Sequence, residues 1–146
     1  MTTPFSGPPL VGFADIRTPP IDDWGQYRLE GQQYLNLADA AFTRKKAAFT
    51  PIILYNIFAM AIEKLVMSAL MEVGRLPFNH TMHDLVEAME LWLPEKIAGM
   101  GERLRALDRY QEICDLENTR IIEPTVEELA QMLRVSRELE RSVLAG

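Results

Sequence analysis

The sequence predicts an all-α protein, an up-and-down bundle of about five helices preceded by an extended, proline-rich N-terminal arm. Apolar residues recur at steps of three and four residues from residue 24 onward, which is the helical period. The chain shows no alternating strand pattern, no β-hairpin signal and no internal repeat. Five of the nine prolines fall in residues 1–23 and disfavour helix there. We therefore predict an arm over residues 1–23 and one bundle domain over residues 24–146.

The first two helices are predicted from their apolar pattern and their boundary residues. The first runs from about Trp24 to Ala48, with recurrent aromatic and small residues. The second begins at Thr50-Pro51, where the threonine can cap and proline suits the first helical position. It continues to Val73, and Gly74 is a typical residue just after a helix end. Because this helix is apolar nearly all round, it should be central or lie at an oligomer interface.

Three further helices follow. Thr81, with Asp84 three residues later, predicts the start of the third helix, which Pro94 should end. The fourth is expected over roughly residues 95–115, on a narrow apolar seam. Thr125 and Glu128 form a capping box for the fifth, over about residues 126–144. The predicted seam of the fourth helix comprises Ile97, Met100, Leu104, Leu107, Gln111 and Cys114, and the stripe of the fifth comprises Val126, Leu129, Met132, Leu133, Ser136, Leu139 and Val143.

Composition narrows the possible functions. The chain has 146 residues and a net charge of −6, and the arm and both halves of the bundle are each net negative, so nucleic-acid binding is not expected. A single cysteine, Cys114, excludes an internal disulfide and a cysteine-rich metal site. We predict no metal, because the two histidines lack a clear third ligand, and no cofactor, because no glycine-rich phosphate loop is present. The apolar run Ile52 to Ile62 is too short to span a bilayer, and no signal peptide is evident, so a cytoplasmic location is expected.

The middle of the chain resembles HEPN domains. Residues 59–70 read AMAIEKLVMSAL, similar to the central helix of that superfamily, and Gly74, Pro77 and His80 resemble the turn that follows it. The sequences LDRY at 107–110 and NTR at 118–120 are similar to its late-helix region. The resemblance covers about residues 26–123. It implies a helical bundle, frequently dimeric, often encoded beside a nucleotidyltransferase.

Many members of that superfamily are RNases that place an arginine four to six residues before a histidine near the end of the bundle. Here the only histidines, His80 and His83, precede the third helix, and no histidine follows any later arginine. An RNase without metal needs a group that titrates near neutrality at that place, a role usually filled by histidine. The departure favours the binding or regulatory members of the superfamily.

Six residues are candidates for ligand contact. Lys64 could bind a phosphate with Glu63 orienting it, although a buried polar anchor beside a snorkelling lysine is the more ordinary interpretation. His80 and His83, with Glu87, form at most a weak metal triad, and a structural turn is favoured. Arg109 and Arg120, together with Asp108 and Glu112, could line a polar groove at the end of the bundle, or simply form a solvated face.

Three functions remain open from the sequence. The first is a non-catalytic HEPN-like interaction or nucleotide-binding module, homodimeric and regulating a nucleotidyltransferase partner. The second is an RNase or other hydrolase with a rearranged site built from Glu63, His80, His83 and Arg120. The third is a purely structural assembly adaptor.

Overall fold

The computed structural model describes residues 18–110 and 122–145. Over these ranges the predicted all-α class is confirmed, and no strand is present. The α-helices, in chain order, are α1 Trp24–Thr43, α2 Pro51–Glu72, α3 Met82–Trp92, α4 Pro94–Ile97, α5 Gly101–Arg105 and α6 Val126–Leu144. A 3₁₀ helix, Ala106–Tyr110, continues directly from α5.

Helices α1 and α2 form the tightest pair in the bundle. They are antiparallel, because Arg28 pairs with Glu72 at 2.7 Å while Glu30, further along α1, pairs with the earlier residue Lys64 at 2.9 Å. Gly31 faces α2 so closely that an added Cβ would lie 2.9 Å from Leu65 Cγ. The absence of a side chain at Gly31 therefore lets the two backbones approach.

Helix α1 ends at Thr43, five residues before the predicted end. Lys45 has a φ of 52°, in the left-handed region, and the N–H of Lys46 donates to the carbonyl of Ala41 at 3.0 Å. This is the hydrogen bond that closes a Schellman motif, here without the usual glycine. The basic run Arg44, Lys45 and Lys46 therefore lies in an exposed turn.

Both predicted boundaries of α2 are confirmed. Thr50 Oγ1 accepts from the N–H of Ile53 at 3.3 Å, with Pro51 at the first helical position. At the other end Gly74 has a φ of 74°, and the N–H of Arg75 donates to the carbonyl of Leu70 at 2.8 Å.

Helix α2 is also the central helix of the bundle. It is the one helix in the described ranges that is long and apolar enough to cross a membrane, so the apolar run is longer than the sequence estimate allowed. However, 61% of the most apolar 18-residue stretch of α2 is buried inside the protein. The core helix of a soluble bundle can have the same length and composition as a membrane-spanning helix. Phe58, Ile62 and Leu65 are fully buried.

The predicted continuous fourth helix is wrong over residues 95–110. Pro94 starts the four-residue α4, and Gly99, with a φ of 79°, separates it from α5. The seam residues in this range, Ile97, Met100, Leu104 and Leu107, are nevertheless all buried. The apolar spacing thus placed these side chains correctly, although the backbone that carries them is broken; Gln111 and Cys114 lie outside the described residues.

Helix α6 begins with the predicted capping box. Thr125 Oγ1 accepts from the N–H of Glu128, and Glu128 Oε1 accepts from the N–H of Thr125, each at 3.1 Å. The predicted stripe is buried or partly buried except at Val126, which is 73% exposed because it lies in the first turn. The largest fully buried side chains of the core are Phe58, Leu35, Ile62, Leu65, Leu70, Leu85, Met89, Leu104, Leu129, Met132 and Leu139.

Candidate functional site: an arginine-lined groove beside the last helix

A groove of about 820 Å³ lies between α6 and the segment formed by α5 and the 3₁₀ helix. Apolar side chains such as Leu107, Met132 and Leu133 contribute to its lining. Five arginines and three carboxylates line it as well, so it carries an excess of positive charge in a chain whose net charge is −6. The charged residues are Arg103, Arg109, Arg134, Arg137 and Arg141, with Asp39, Glu128 and Glu138.

Three of the five arginines are already engaged. Arg103 pairs with Glu138 at 2.9 Å, and Arg109 pairs with Glu128. Arg137 pairs with Asp39 at 2.7 Å and with Glu140 at 3.0 Å. The remaining two, Arg134 and Arg141, are exposed, and their side chains make no ion pair or hydrogen bond with any residue in ranges 18–110 and 122–145.

Glu128 fixes one end of the groove. One of its oxygens, Oε1, completes the capping box of α6, and the other, Oε2, contacts both Arg109 and the hydroxyl of Tyr110. Tyr110 is buried, and its ring packs against that of Tyr55, with centroids 5.1 Å apart. The hydroxyl of Tyr55 donates to the carbonyl of Leu107 at 3.0 Å. A single carboxylate therefore joins the start of α6 to the 3₁₀ helix that forms the opposite wall.

The other end of the groove is joined to α1. Arg137 donates to Asp39 and, at 3.0 Å, to the side-chain oxygen of Asn36. The hydrogen bond from Arg137, together with one from Thr43, holds the pKa of the Asp39 carboxyl below its usual value, despite partial burial. Asp39 therefore stays ionised at neutral pH and occupies Arg137, which leaves the unpaired arginines as the available cations.

The predicted residue Glu63 meets His80, not Lys64. His80 Nδ1 and Glu63 Oε1 are 2.6 Å apart, joining the loop before α3 to the middle of α2. The two side chains are 58% and 37% exposed. The adjacent side chains of Glu63 and Lys64 thus contact different partners, and the structure does not bring them together as the phosphate-binding hypothesis expects.

Lys64 has a structural environment. Its ammonium pairs with Glu30 at 2.9 Å and lies 4.2 Å from the centre of the Tyr27 ring. The hydrogen bond to Glu30 raises the pKa of Lys64, and the same bond, with one from Gln26, lowers the pKa of Glu30. This pairing favours the packing interpretation of Lys64 over phosphate binding.

His83 is separate from His80. Its Nε2 lies 3.6 Å from Glu87, one turn along α3, and the ligand atoms of His83, Asp84 and Glu87 lie within 4.8 Å of one another. His83 and Glu87 are exposed and all three belong to the first turns of one helix. The predicted set of His80, His83 and Glu87 is not assembled.

The predicted polar groove is assembled in part. Arg109 does line the groove, as does Tyr110, its neighbour. Asp108 instead turns to α3, where its two oxygens accept from the N–H groups of Met82 and His83, each at 2.9 Å. Arg120 and Glu112 lie outside the described residues.

The sequence reasoning missed the α6 arginines. Arg134, Arg137 and Arg141 are spaced by three and four residues, so they share one helical face. That spacing was available in the sequence as a basic stripe. The net charge of the region gave no sign of this stripe, because α6 and its neighbouring segments contain more carboxylates than arginines.

Comparison of the chain with protein-family models, with curated proteins and with solved structures gives no match. The resemblance to HEPN domains accordingly stays a prediction from the quoted residues.

Proposed function

We propose that this protein is a non-catalytic binding module whose groove beside α6 holds a nucleoside phosphate. The observation that carries the proposal is the groove itself, with an apolar floor, an excess of arginine and two cations, Arg134 and Arg141, that are unpaired among the described residues. This is the nucleotide-binding form of the function expected from the sequence.

The chemistry of the groove suits such a ligand. Its volume of about 820 Å³ lies within the range of small-molecule sites. Leu107, Met132 and Leu133 offer apolar surface for a base and sugar, while guanidinium groups match the geometry of phosphate oxygens. The carboxylates that would repel a phosphate are each paired, Glu128 with Arg109 and Glu138 with Arg103.

Binding without catalysis is supported by what lines the groove. Its described lining includes no histidine, cysteine or lysine, and each of its three carboxylates is held in an ion pair with an arginine, so we assign the groove binding and not proton transfer or nucleophilic attack. In this proposal the protein works as a homodimeric, HEPN-like regulator, and nucleotide occupancy sets its affinity for a nucleotidyltransferase partner.

The test is calorimetric titration of the full chain with ATP and with AMP. We expect saturable binding, and we expect Arg134→Ala and Arg141→Ala each to weaken it about tenfold or more, because a charge-assisted hydrogen bond contributes roughly 1.5–3 kcal/mol. Arg44→Ala is the matched control, since Arg44 is an exposed cation outside the groove, and it should bind like the parent protein. Absence of binding, or equal weakening in the control, would contradict the proposal.

A second candidate, the RNase or hydrolase, rests on the hydrogen bond between Glu63 and His80. A carboxylate at 2.6 Å orients an imidazole for proton transfer, as in many hydrolytic sites. Cleavage of single-stranded RNA that His80→Ala abolishes and His83→Ala preserves would favour this candidate. RNA left intact by the parent protein would eliminate it, and a stable oligomer that ignores both nucleotides and RNA would favour the structural adaptor.

A further inference from the structure

The described chain enters the bundle at the C-terminal end of α2. Thr18 Oγ1 donates to the carbonyl of Val73 at 2.5 Å, and the N–H of Ile21 donates to the carbonyl of Met71 at 2.8 Å. Gly74 lies so close to this segment that an added Cβ would clash with Thr18 and Pro19. Residue 18 is therefore held in place, and residues 1–17 start from this point.

Exposed apolar side chains occur in the loop that follows Gly74 and near the end of α3. The guanidinium of Arg75, the residue after Gly74, lies 3.7 Å from the centre of the Trp92 ring, which joins the loop before α3 to the end of α3. In the two elements joined by this contact, Leu76 is 57% exposed, Phe78 is 94% exposed and Leu91 is 53% exposed. Single exposed apolar residues are ordinary, but three of them in two elements held together in this way offer apolar area to a docking segment. We call these three residues the Phe78 surface.

Residues 1–17 have the composition to cover it. They include Phe5, Leu10, Val11, Phe13 and Ile16, and only two charged side chains, Asp15 and Arg17. Pro8 and Pro9 restrict the backbone of this segment before any docking, which lowers the entropy that ordering it would cost. The segment therefore has apolar side chains to bury, and the conformational entropy lost when it becomes ordered is reduced.

The tether is long enough. Val73, which Thr18 contacts, precedes Phe78 by five residues, so the two lie at most about 18 Å apart. Residues 5–17 can span roughly 40 Å when extended. A tethered segment of this length acts at an effective concentration of the order of millimolar, which favours it over a free partner.

We propose that residues 1–17 dock on the Phe78 surface of their own chain, with apolar side chains against Leu76, Phe78 and Leu91. This interaction is independent of the α6 groove. It gives the proline-rich arm a binding site within the protein.

The direct test replaces Phe78 with the photo-cross-linker p-benzoylphenylalanine in the full chain and maps the products by mass spectrometry. The sample mixes ¹⁵N-labelled and unlabelled protein, so cross-links within one chain are separable from cross-links between chains. We expect cross-links to residues 1–17 within one chain. The same cross-linker at Leu37, which is 43% exposed on α1, is the control and should not reach them.

A second measurement keeps the proposal falsifiable without a cross-linker. In hydrogen exchange of the full chain, Phe78→Ser should speed exchange of the amides of residues 10–16 about tenfold or more, whereas Leu37→Ser should leave them unchanged. Cross-links to residues 1–17 only between chains, cross-links only elsewhere, or exchange that Phe78→Ser does not alter would each overturn the proposal.

Discussion

The pair of helices α1 and α2 and the segment from Pro94 to Tyr110 both bury apolar residues that recur at steps of three and four, and they reach different structures. Helix α2 runs for 22 residues without a break, whereas the longest α-helix in the segment has 5 residues. Both bury their apolar seam, from Phe58 and Ile62 in α2 to Leu104 and Leu107 in the segment.

The difference lies in proline and glycine, and it matters for the candidate site. In α2 proline stands only at the first helical position, where it fits. In the segment Pro94 and Gly99 divide the chain, and the resulting turns direct Asp108 to α3 and Arg109 to the groove. Apolar spacing thus selects the buried side chains, while backbone breakers decide where the polar ones between them point.

The first prediction strains the close approach of α1 and α2. Gly31→Val places a branched side chain where even a Cβ would be 2.9 Å from Leu65 Cγ and 3.1 Å from its backbone nitrogen. Overpacking of this kind costs typically 1–3 kcal/mol, and we expect about 3 kcal/mol in urea unfolding. Gly25→Val, on the same helix with open space around it, is the control and should stay within about 0.5 kcal/mol of the parent.

The second prediction tests whether the segment from Pro94 to Tyr110 is broken at Gly99. The test is the sign of the stability change that one substitution causes. Gly99 has a φ of 79°, where an alanine costs about 1–2 kcal/mol, so Gly99→Ala should destabilise the protein in thermal and urea unfolding. Had the segment been one continuous helix, the same change would stabilise it by about 1 kcal/mol. If Gly99→Ala stabilised the protein, the result would support a continuous fourth helix, and this segment would then not differ from α2.

The third and smallest effect concerns the ion pair between α1 and α6. The pKa of Asp39 is lowered in the folded protein, so its contribution is present above the ordinary value of 3.8 and is lost as the pH falls through the folded pKa below 3.8. Asp39→Asn should cost at most about 1 kcal/mol at pH 7 in unfolding at low salt, and this cost should shrink as the pH falls through the folded pKa of Asp39.

The control for this change is Asp22→Asn, an exposed carboxylate in the turn before α1. We expect its unfolding free energy to lie within about 0.5 kcal/mol of that of the parent protein at pH 7. A difference between parent and Asp39→Asn that did not shrink as the pH was lowered below 3.8 would mean that the carboxylate charge is not what joins α1 to Arg137.

Much of the fold could be predicted because its signals are local. Thr50-Pro51, Gly74, Thr81 and the pair Thr125 and Glu128 mark helix ends through hydrogen bonds within a few residues, and all of them function as expected. The end of α1 could not be predicted in this way, because Lys45 adopts a left-handed φ that lysine does not signal.

The candidate site was less predictable because it is assembled from distant elements. Arg109 was identified from its segment, but its neighbour Asp108 turns to α3, and only the fold shows that. Arg134 and Arg141 lie on α6 among carboxylates, so the net charge of the region gives no sign of a cationic site. Their spacing of seven residues does indicate that they share a face. Arg137 is occupied by its ion pair with Asp39 and is therefore not available to a ligand. A sequence cannot show a pair between residues that lie 98 positions apart.

The bond from Asp108 to the start of α3 has a consequence for the order in which the chain acquires structure. Helix α3 has only 11 residues, a length at which an isolated helix is marginal in water. Its first two amides, those of Met82 and His83, find their acceptor about 25 residues later in the chain. A nascent chain that stops at Trp92 therefore carries α3 with its Thr81 cap but without the acceptor for the amides of Met82 and His83, which is supplied only after residue 108 has been synthesised.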